Sequence, residues 1–469
     1  MASTICFDSP ATQPPASFDW PLCYEAERLI GSHVETFLLR NTFARRLAER
    51  MRDETGTDFF EWVDHLVLAP EHAPALYAAG FVEEKVDAPA DTVVLWHPRA
   101  MMPRVLLTSG AGAGSTLAIR PETLVDFLAA HDLGARIEGA FGARLRRALV
   151  NEENGAKLLA VERLGYRGFV VDEPTPEFVR GVLRSRELWR TRKRDFSQKS
   201  DAAGIEHAFA RLDEVLALVD RDVACELFFA EERVFWEARN RAAQVQKRRQ
   251  DRLGLGWGNH DHHTFRNSRA HFSDLMEFLT RLGFHKRERY YAGAEAGWGA
   301  QISEQPVAGI VMFADVDLMP DETAVDFSSH WLPVAPQLGT VGLWCGLHGD
   351  SFLQAGMHHL EARFDFARAR DQLAAEGVNT MRPFSDFEFL RQAFTEGERW
   401  TVRPRRVAAL RAAGLITPAQ AEGFLRDGAI GSHLENLQRK GGFKGFNQKS
   451  VSVIISATDP RKVQAQHTT

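Results

Sequence analysis

Three histidines and an aspartate occupy four consecutive positions of the segment NHDHHTFR, residues 259–266. Imidazole is the side chain that most often binds metal ions in proteins, and its charge changes near neutral pH. If the segment is a β-strand, side chains alternate between its two faces, which places His262 and Arg266 on one face. His260 and Thr264 share that face. Such a strand can hold a metal ion beside an anionic group, whereas a histidine-rich surface loop is the alternative interpretation.

A second segment of the chain has a similar layout. The segment FEWVDHLVLAP, residues 60–70, is typical of a buried strand and contains the pair Asp64 and His65. In both places a short helical pattern, a Gly-Phe pair and several strand-like runs follow the Asp-His strand. This is a weak internal repeat of a β-α-β-β-β unit. Two such sheets can face each other, which would let the His65 and His262 strands converge on one site.

A carboxylate is the ligand that two histidines need to form an oxygen-activating non-haem Fe(II) site with open positions. The segment GMHHLEARF, residues 356–364, is the best candidate to supply it. Strand alternation places His359, Glu361 and Arg363 on one face. Glu361 can bind the metal, and Arg363 beside it can hold a carboxylate. The alternative is a surface strand that carries an ordinary Glu/Arg pair.

Length and composition fit a folded enzyme, and the strand and helix patterns predict an α+β fold. The 469 residues are 44% hydrophobic and 26% charged, enough for one large core or for two to three domains. Strand-like and helical patterns predict five regions along the chain. They are an N-terminal tail with helices (1–57), a first β-rich metal-site unit (58–120), a helical insertion (121–254), a second β-rich metal-site unit (255–400), and C-terminal helices with a strand near 451–456 (401–469).

Charge and cysteine content exclude several classes of protein. The net charge of −6 argues against a general nucleic-acid binder. The four cysteines are widely spaced with no CxxC pair, which suits a reducing compartment and gives no thiolate zinc site. Residues 1–17 lack the basic start and apolar core of a signal peptide, and no run of 18 apolar residues occurs. We therefore expect a cytoplasmic protein without a membrane span.

With these segments in place, the chain resembles the 2-oxoadipate dioxygenase/decarboxylase family, also called hydroxyglutarate synthases. The segment DHHTFR, residues 261–266, is similar to the family segment NHLTPR. The triplet EAR, residues 361–363, matches a Glu-x-Arg segment, and FSDFEFL, residues 384–390, matches FPDSEFL. The family's first histidine begins an HxxxR motif, and His65 lies in the corresponding first strand. The resemblance is spread over much of the chain.

This resemblance implies the fold, the metal and its ligands. The family is related to the vicinal-oxygen-chelate fold, in which paired βαβββ units form a curved central sheet, here with a large helical insertion. The cofactor implied is Fe(II), and the ligands implied are His65, His262 and Glu361.

One departure from the family pattern concerns the substrate. The family arginine four residues after the first histidine contacts the substrate carboxylate, and this chain has Ala69 at that position. We expect Arg266 or Arg363 to take its catalytic and substrate-binding role, and the alternative is a substrate with a different distal group. A late family contact with the substrate falls near Asp427, where the pattern is followed only loosely.

The expected function is that of an Fe(II)-dependent dioxygenase/decarboxylase. It would oxidise a 2-oxo acid or a related carboxylate with O2, using the substrate's own keto acid group. One alternative is a non-oxidative isomerase or lyase of the same fold that uses Zn²⁺, Ni²⁺ or Mn²⁺ as a Lewis acid. A protein that sequesters a small molecule without turnover is the other. The expected partners are a small-molecule carboxylate and O2, with neither nucleic acid nor membrane.

Overall fold

The computed structural model describes residues 20–109, 115–196, 201–291, 297–447 and 459–463. Most of the predicted N-terminal tail and the strand predicted near 451–456 lie outside these ranges. Within them the chain forms two mixed β-sheets and fourteen α-helices. Among these described helices, none is both long and apolar enough to cross a membrane.

Two helices precede the first sheet, α1 (Tyr24–Arg40) and α2 (Thr42–Arg50). The buried Asn41 between them begins α2, because its side chain accepts a hydrogen bond of 2.8 Å from the backbone N–H of Ala44. Its Nδ2 also donates a bond of 3.0 Å to the carbonyl of Ala156 in the sheet. One side chain therefore both caps the helix and anchors it to the sheet.

The first sheet consists of two consecutive βαβββ units. The first unit contains β1 (Val63–Leu68), α3 (Ala73–Ala78), β2 (Val82–Glu83), β3 (Thr92–Trp96) and β4 (Arg104–Thr108). The second contains β5 (Thr116–Ile119), α4 (Leu124–Ala130), β6 (Ile137–Glu138), β7 (Leu145–Glu153) and β8 (Ala156–Arg163). The strand order is β2-β3-β4-β1-β5-β8-β7-β6, so the first strands of the two units pair at the centre.

A helical segment connects the two sheets. It contains α5 (Pro176–Arg190), α6 (Asp201–Leu216), α7 (Arg221–Glu237) and α8 (Arg241–Asp251). Apolar side chains of this segment, such as Phe228 and Trp236, share a core with Phe265 and Phe278 of the second sheet region. The helices therefore support the second sheet, while α1 and α2 share a separate core with the first.

The second sheet repeats the same topology with insertions. Its first unit contains β9 (His260–Arg266), α9 (Phe272–Arg281), β10 (His285–Tyr291), β11 (Trp298–Gln305) and β12 (Ile310–Asp317), and α10 (Thr340–His348) follows. Its second contains β13 (His359–Arg363), α11 (Phe366–Ala375), β14 (Ser385–Phe387), β15 (Leu390–Phe394), β16 (Glu398–Trp400), α12 (Pro404–Ala412), α13 (Pro418–Asp427) and β17 (Ala429–Arg439). The order is β10-β11-β12-β9-β13-β17-β15-β14, with β16 also paired to β17. A short helix, α14 (Pro460–Val463), follows.

The predicted α+β fold of paired βαβββ units is confirmed, with four units where the sequence repeat suggested two. The helical insertion predicted from residue 121 is wrong in its first part, because β6, β7 and β8 belong to the first sheet. Asn154 and Gly155 both have positive φ between β7 and β8, which is the geometry of a tight hairpin turn. The alanine and arginine content of residues 135–150 suggests a helix, but this Asn-Gly turn sets a hairpin instead.

We expect Asn41→Ala to lower the free energy of unfolding by about 1–2 kcal/mol, because it removes the helix cap and the anchor to Ala156 together. Asn41→Ser is the matched control, since serine keeps the capping oxygen but loses the Nδ2 donor. Its loss should be smaller, as measured by urea unfolding of both variants. Equal losses in the two variants would show that the cap contributes nothing.

Candidate metal centre

Three adjacent strands at the centre of the second sheet carry a cluster of metal-binding side chains. Glu361 on β13 pairs with His262 on β9 and also with Glu435 on β17. Residues directly opposite each other on paired strands project from the same face. The strand register therefore brings one imidazole and two carboxylates together, although they are far apart in the sequence.

The side chains converge closely enough to bind one ion. Candidate ligand atoms of His262, Glu361 and Glu435 all lie within 4.8 Å of one another. Nε2 of His262 is 3.0 Å from Oε1 of Glu361. His359 joins them, since its Nε2 is 2.5 Å from the same oxygen and 3.8 Å from Oε2 of Glu435. We name His262, His359, Glu361 and Glu435 the central cluster.

Burial makes the central cluster costly unless a cation is present. Its four side chains are between 0% and 7% exposed. Burial raises the pKa of Glu361 well above its usual range, and the charge of Glu435 raises it further. Burial also raises the pKa of Glu435 to about 8 and lowers the pKa of the His262 and His359 imidazoles. Oε2 of Glu361 has no hydrogen-bond partner among the described residues. A carboxylate oxygen without a hydrogen-bond donor, in a set of two imidazole nitrogens and two carboxylates, suits the coordination of a divalent metal ion.

His262 is held in one orientation from behind. Its Nδ1 lies 2.9 Å from Oδ1 of Asp261, and Asp261 accepts two hydrogen bonds of 3.0 Å from the guanidinium of Arg439. The ring of Phe446 packs against the imidazole at 4.8 Å. A carboxylate on one ring nitrogen fixes the tautomer, which leaves Nε2 as the atom available for a metal.

One hydrogen bond positions each of the other three members of the central cluster. The hydroxyl of Thr264 donates to Oε1 of Glu361 at 2.9 Å, and the amide of Gln392 donates to Oε1 of Glu435 at 2.8 Å. Nδ1 of His359 lies 2.5 Å from Nδ1 of His358, so one imidazole donates to the other. These contacts turn Nε2 of His359 toward the two carboxylates.

The central cluster lines a narrow cavity of about 50 Å³. Since a water molecule needs about 10–15 Å³ of such space, this cavity accommodates a few waters or a small ligand. Six of the fifteen residues that line it are phenylalanine, tyrosine or tryptophan: Tyr290, Trp298, Phe313, Phe384, Phe394 and Phe446. We name it the metal-site cavity.

Arg266 also lines the metal-site cavity, on the same face of β9 as His262. Its Nε donates a hydrogen bond of 3.2 Å to Oδ2 of Asp315. Burial raises the pKa of Asp315 to about 7 although Arg266 lowers it. Within the described ranges, the Nη groups of Arg266 have no recorded hydrogen bond and can receive an anionic ligand.

The structure brings together three of the residues predicted from the sequence. His262, Glu361 and Arg266 line the metal-site cavity. His65 does not join them, because it lies on β1 in the other sheet. We therefore correct the expected ligand set by replacing His65 with His359 and Glu435.

The surroundings of His65 explain why it resembles a ligand. Its Nδ1 is 2.6 Å from Asp64, which accepts two bonds of 2.8 Å from Arg163 on β8, and Phe169 packs against the ring. This repeats the arrangement of Asp261, His262, Arg439 and Phe446. The strand partner of His65 is Ala118, and the partner of Ala118 is Leu159. Apolar residues thus stand where the second sheet has Glu361 and Glu435.

The other predicted substrate-binding residues lie elsewhere. Arg363 does not line the metal-site cavity and pairs with Glu61 at 3.0 Å. The one-residue bulge in the β9–β13 pairing lies on β9, at Asp261, and β13 keeps its register with β17. Ala69 follows β1 in the first sheet and does not line the metal-site cavity. Asp427, at the end of α13, pairs with Arg426 and does not line it either.

Sequence reasoning did not assign a role to Glu435, although a signal was present. The tripeptide His-Leu-Glu occurs at residues 359–361 and again at 433–435. The two copies lie side by side in parallel strands, with His359 beside His433 and Glu361 beside Glu435. His359 was recognised as sharing a face with Glu361 but was not expected to be a ligand.

Comparison with known proteins gives distant structural similarities. A variant of 4-hydroxymandelate synthase from Streptomyces coelicolor is 13% identical, with 87% of this chain and 99% of that chain covered and a TM-score of 0.29. A glyoxalase-superfamily protein from Ralstonia eutropha JMP134 is 12% identical, with coverages of 57% and 96% and a TM-score of 0.32. Methylmalonyl-CoA epimerase from Mycobacterium tuberculosis is 13% identical, with coverages of 39% and 88% and a TM-score of 0.23. The chain matches no protein-family model and no curated protein sequence.

We expect His262→Ala, His359→Ala and Glu435→Ala each to lower Fe(II) or Mn(II) affinity by more than about tenfold, since each removes a ligand. His65→Ala is the matched control, because His65 has the same Asp-Arg support but has Ala118 and Leu159 where His262 has Glu361 and Glu435. Metal content and affinity should be measured after anaerobic loading, with circular dichroism to verify folding. Loss of metal in His65→Ala together with retention in Glu435→Ala would contradict the site.

Metal binding should release a proton. Below pH of about 8, Glu435 holds a proton in the metal-free protein, because burial raises its pKa to about 8. The imidazoles have lowered pKa values and are already neutral near pH 7. Burial also raises the pKa of Glu361 well above its usual range, so the pair releases at least one proton, and apparent Mn(II) affinity should rise by at least about tenfold per pH unit between pH 6 and 8. Calorimetry in buffers of different ionisation enthalpy measures the proton count, and a count of zero at pH 7 would contradict this expectation.

Proposed function

We propose that this protein is an Fe(II)-dependent dioxygenase/decarboxylase that acts on a small 2-oxo acid. The observation that carries the proposal is the face of β9, on which the candidate ligand His262 and the buried cation Arg266 line one cavity. The HxxxR spacing that is missing after His65 is present after His262. A site that presents a metal and an arginine together suits a substrate with a chelating keto acid group and an anionic end.

The roles of the residues follow from their positions. His262, His359, Glu361 and Glu435 would hold the ion, with the two histidines and one carboxylate as the minimal set. Bound Fe(II) would supply the activation of O2 that is coupled to oxidative decarboxylation of the 2-oxo acid. Arg266 would bind and orient the substrate carboxylate. The aromatic wall excludes bulk water, which protects a reactive site from side reactions.

A second carboxylate in the cluster favours an alternative function. Burial raises the pKa of Glu435 to about 8 in the metal-free protein, and a carboxylate of raised pKa that does not bind the ion can act as a base near neutral pH. A non-oxidative isomerase or lyase would use such a base beside a Lewis-acid metal such as Zn²⁺, Ni²⁺ or Mn²⁺. This alternative needs no oxygen and predicts exchange of a substrate proton with solvent.

One experiment separates these functions. The anaerobic Fe(II)-loaded protein is mixed with a panel of 2-oxo acids, and a metal-to-keto charge-transfer band is sought before oxygen is admitted. Oxygen uptake with one CO2 released per turnover supports the dioxygenase. Solvent proton exchange without oxygen uptake, with Zn²⁺, Ni²⁺ or Mn²⁺, supports the isomerase or lyase. Ligand binding that is unaffected by His262→Ala, without turnover, supports a sequestering protein.

Arg266→Met should raise the KM for the substrate by about 10- to 100-fold, because a charge-assisted hydrogen bond is worth about 1.5–3 kcal/mol. Arg266→Lys keeps the charge and should recover part of that loss. Metal affinity, measured separately with Mn(II), should change little in both variants. An unchanged KM in Arg266→Met would show that another group binds the substrate carboxylate.

A further inference from the structure

A second, larger cavity lies between the two sheets. Its volume is about 280 Å³, more than five times that of the metal-site cavity. The first sheet and its flanks contribute Arg104, Arg120 and Arg167. From the second sheet region come Arg287, Arg363, Arg439 and Lys444. We name it the inter-sheet cavity.

Cationic side chains outnumber carboxylates in this cavity. Seven arginines and lysines line it, against the four carboxylates of Glu61, Asp64, Asp261 and Glu304. All four carboxylates already have cationic partners. Glu61 pairs with Arg363, Asp261 with Arg439, and Glu304 with Lys444, while Asp64 pairs with Arg163 outside the lining.

The three arginines of the first sheet region have two carboxylates between them. Arg104 and Arg167 share one carboxylate, that of Glu84. Burial lowers the pKa of Arg167, and the charge of Arg104 lowers it further. Arg120 forms an ion pair with Glu226 at 3.6 Å, which is longer than a hydrogen bond. Holding like charges close together in a partly enclosed space is unfavourable unless an anion is available to them.

The cavity wall also offers an apolar surface beside these cations. The guanidinium of Arg167 lies over the ring of Trp96, with 5.1 Å to the centroid. Met101 and Met102 continue this side of the wall. Guanidinium groups match carboxylates and phosphates in a planar, paired geometry, and enclosed clefts of one charge sign concentrate ions of the other.

We propose that the inter-sheet cavity is a second binding site, for a small organic polyanion with carboxylate or phosphate groups. Arg120 and Arg167 are its anchors from the first sheet region. The site is distinct from the central cluster, whose four side chains do not line it. Phe446 is a wall shared by the two cavities. The proposal does not depend on the reaction at the metal site.

Calorimetric titration of the metal-free protein with pyrophosphate and with citrate tests this site, with acetate as a monoanion of low charge. We expect one equivalent of a polyanion to bind, and acetate to bind much more weakly. Arg120→Gln and Arg167→Gln should each weaken binding by about tenfold or more, since each removes a charge-assisted contact. Binding of pyrophosphate alone would assign phosphate recognition, binding of citrate alone would assign carboxylate recognition, and binding of both supports a general polyanion site.

Two control variants keep the test specific. Arg411→Gln removes an exposed arginine on α12 and should leave binding unchanged. Glu361→Gln alters the central cluster and should also leave it unchanged, which distinguishes this cavity from the metal site. Arg120→Lys retains the charge and should restore part of the affinity. The proposal is overturned if neither polyanion binds the wild-type protein, if the Arg120→Gln/Arg167→Gln double variant binds as tightly as wild type, or if Glu361→Gln abolishes binding.

Discussion

The second sheet buries two carboxylates and two imidazoles side by side, and its candidate function depends on this constraint. Burial raises the pKa of both carboxylates, and the charge of Glu435 raises that of Glu361 further, so the pair keeps a proton when no ion is bound. Hydrogen bonds from Thr264 and Gln392 reach one oxygen of each carboxylate, and Oε2 of Glu361 is left without a donor in the described part of the chain. A divalent cation would relieve the repulsion and the missing contact together. A packed core would gain nothing from this arrangement.

In the two sheets, the residues that support the central histidine are the same, but the residues that would make it a metal ligand occur only in the second. In each sheet an aspartate joins the central histidine to an arginine on the last strand, so Asp64 and Asp261 have the same contacts. In the first sheet this arrangement links β1 to β8 across a central region that is otherwise apolar. In the second sheet the same support is combined with Glu361 and Glu435 on the neighbouring strands. The support is therefore a feature of the fold, and the metal-binding capacity comes from the residues placed opposite the histidine.

The sequence predicts the parts of the site that depend on local strand geometry. Alternation along β9 placed His262 on the same face as Arg266, and the family resemblance chose His262 and Glu361 as ligands. Alternation failed for Arg363, which pairs with Glu61 and does not line the metal-site cavity. Alternation could not exclude His65 as a ligand. The residue that denies His65 a neighbouring glutamate is its strand partner Ala118, which lies more than fifty positions away in the sequence. Glu435 is a ligand candidate only because β13 and β17 pair in register. The pattern of residues within one strand does not predict which strands pair. The fold class followed from the repeated strand and helix patterns. The β7–β8 hairpin was not predicted, because the alanines and arginines near it favour a helix.

The ion pair of Asp261 and Arg439 connects the two cavities electrostatically. Both residues line the inter-sheet cavity, while Asp261 also holds Nδ1 of His262, whose Nε2 faces the central cluster. Arg439 is needed there because an unpaired Asp261 would be a buried charge, and its presence keeps the pKa of Asp261 far below the usual range. The carboxylate of Asp261 sets the tautomer and basicity of His262. A single aspartate, one residue before the histidine on β9, therefore lines the inter-sheet cavity and also supports the candidate metal ligand.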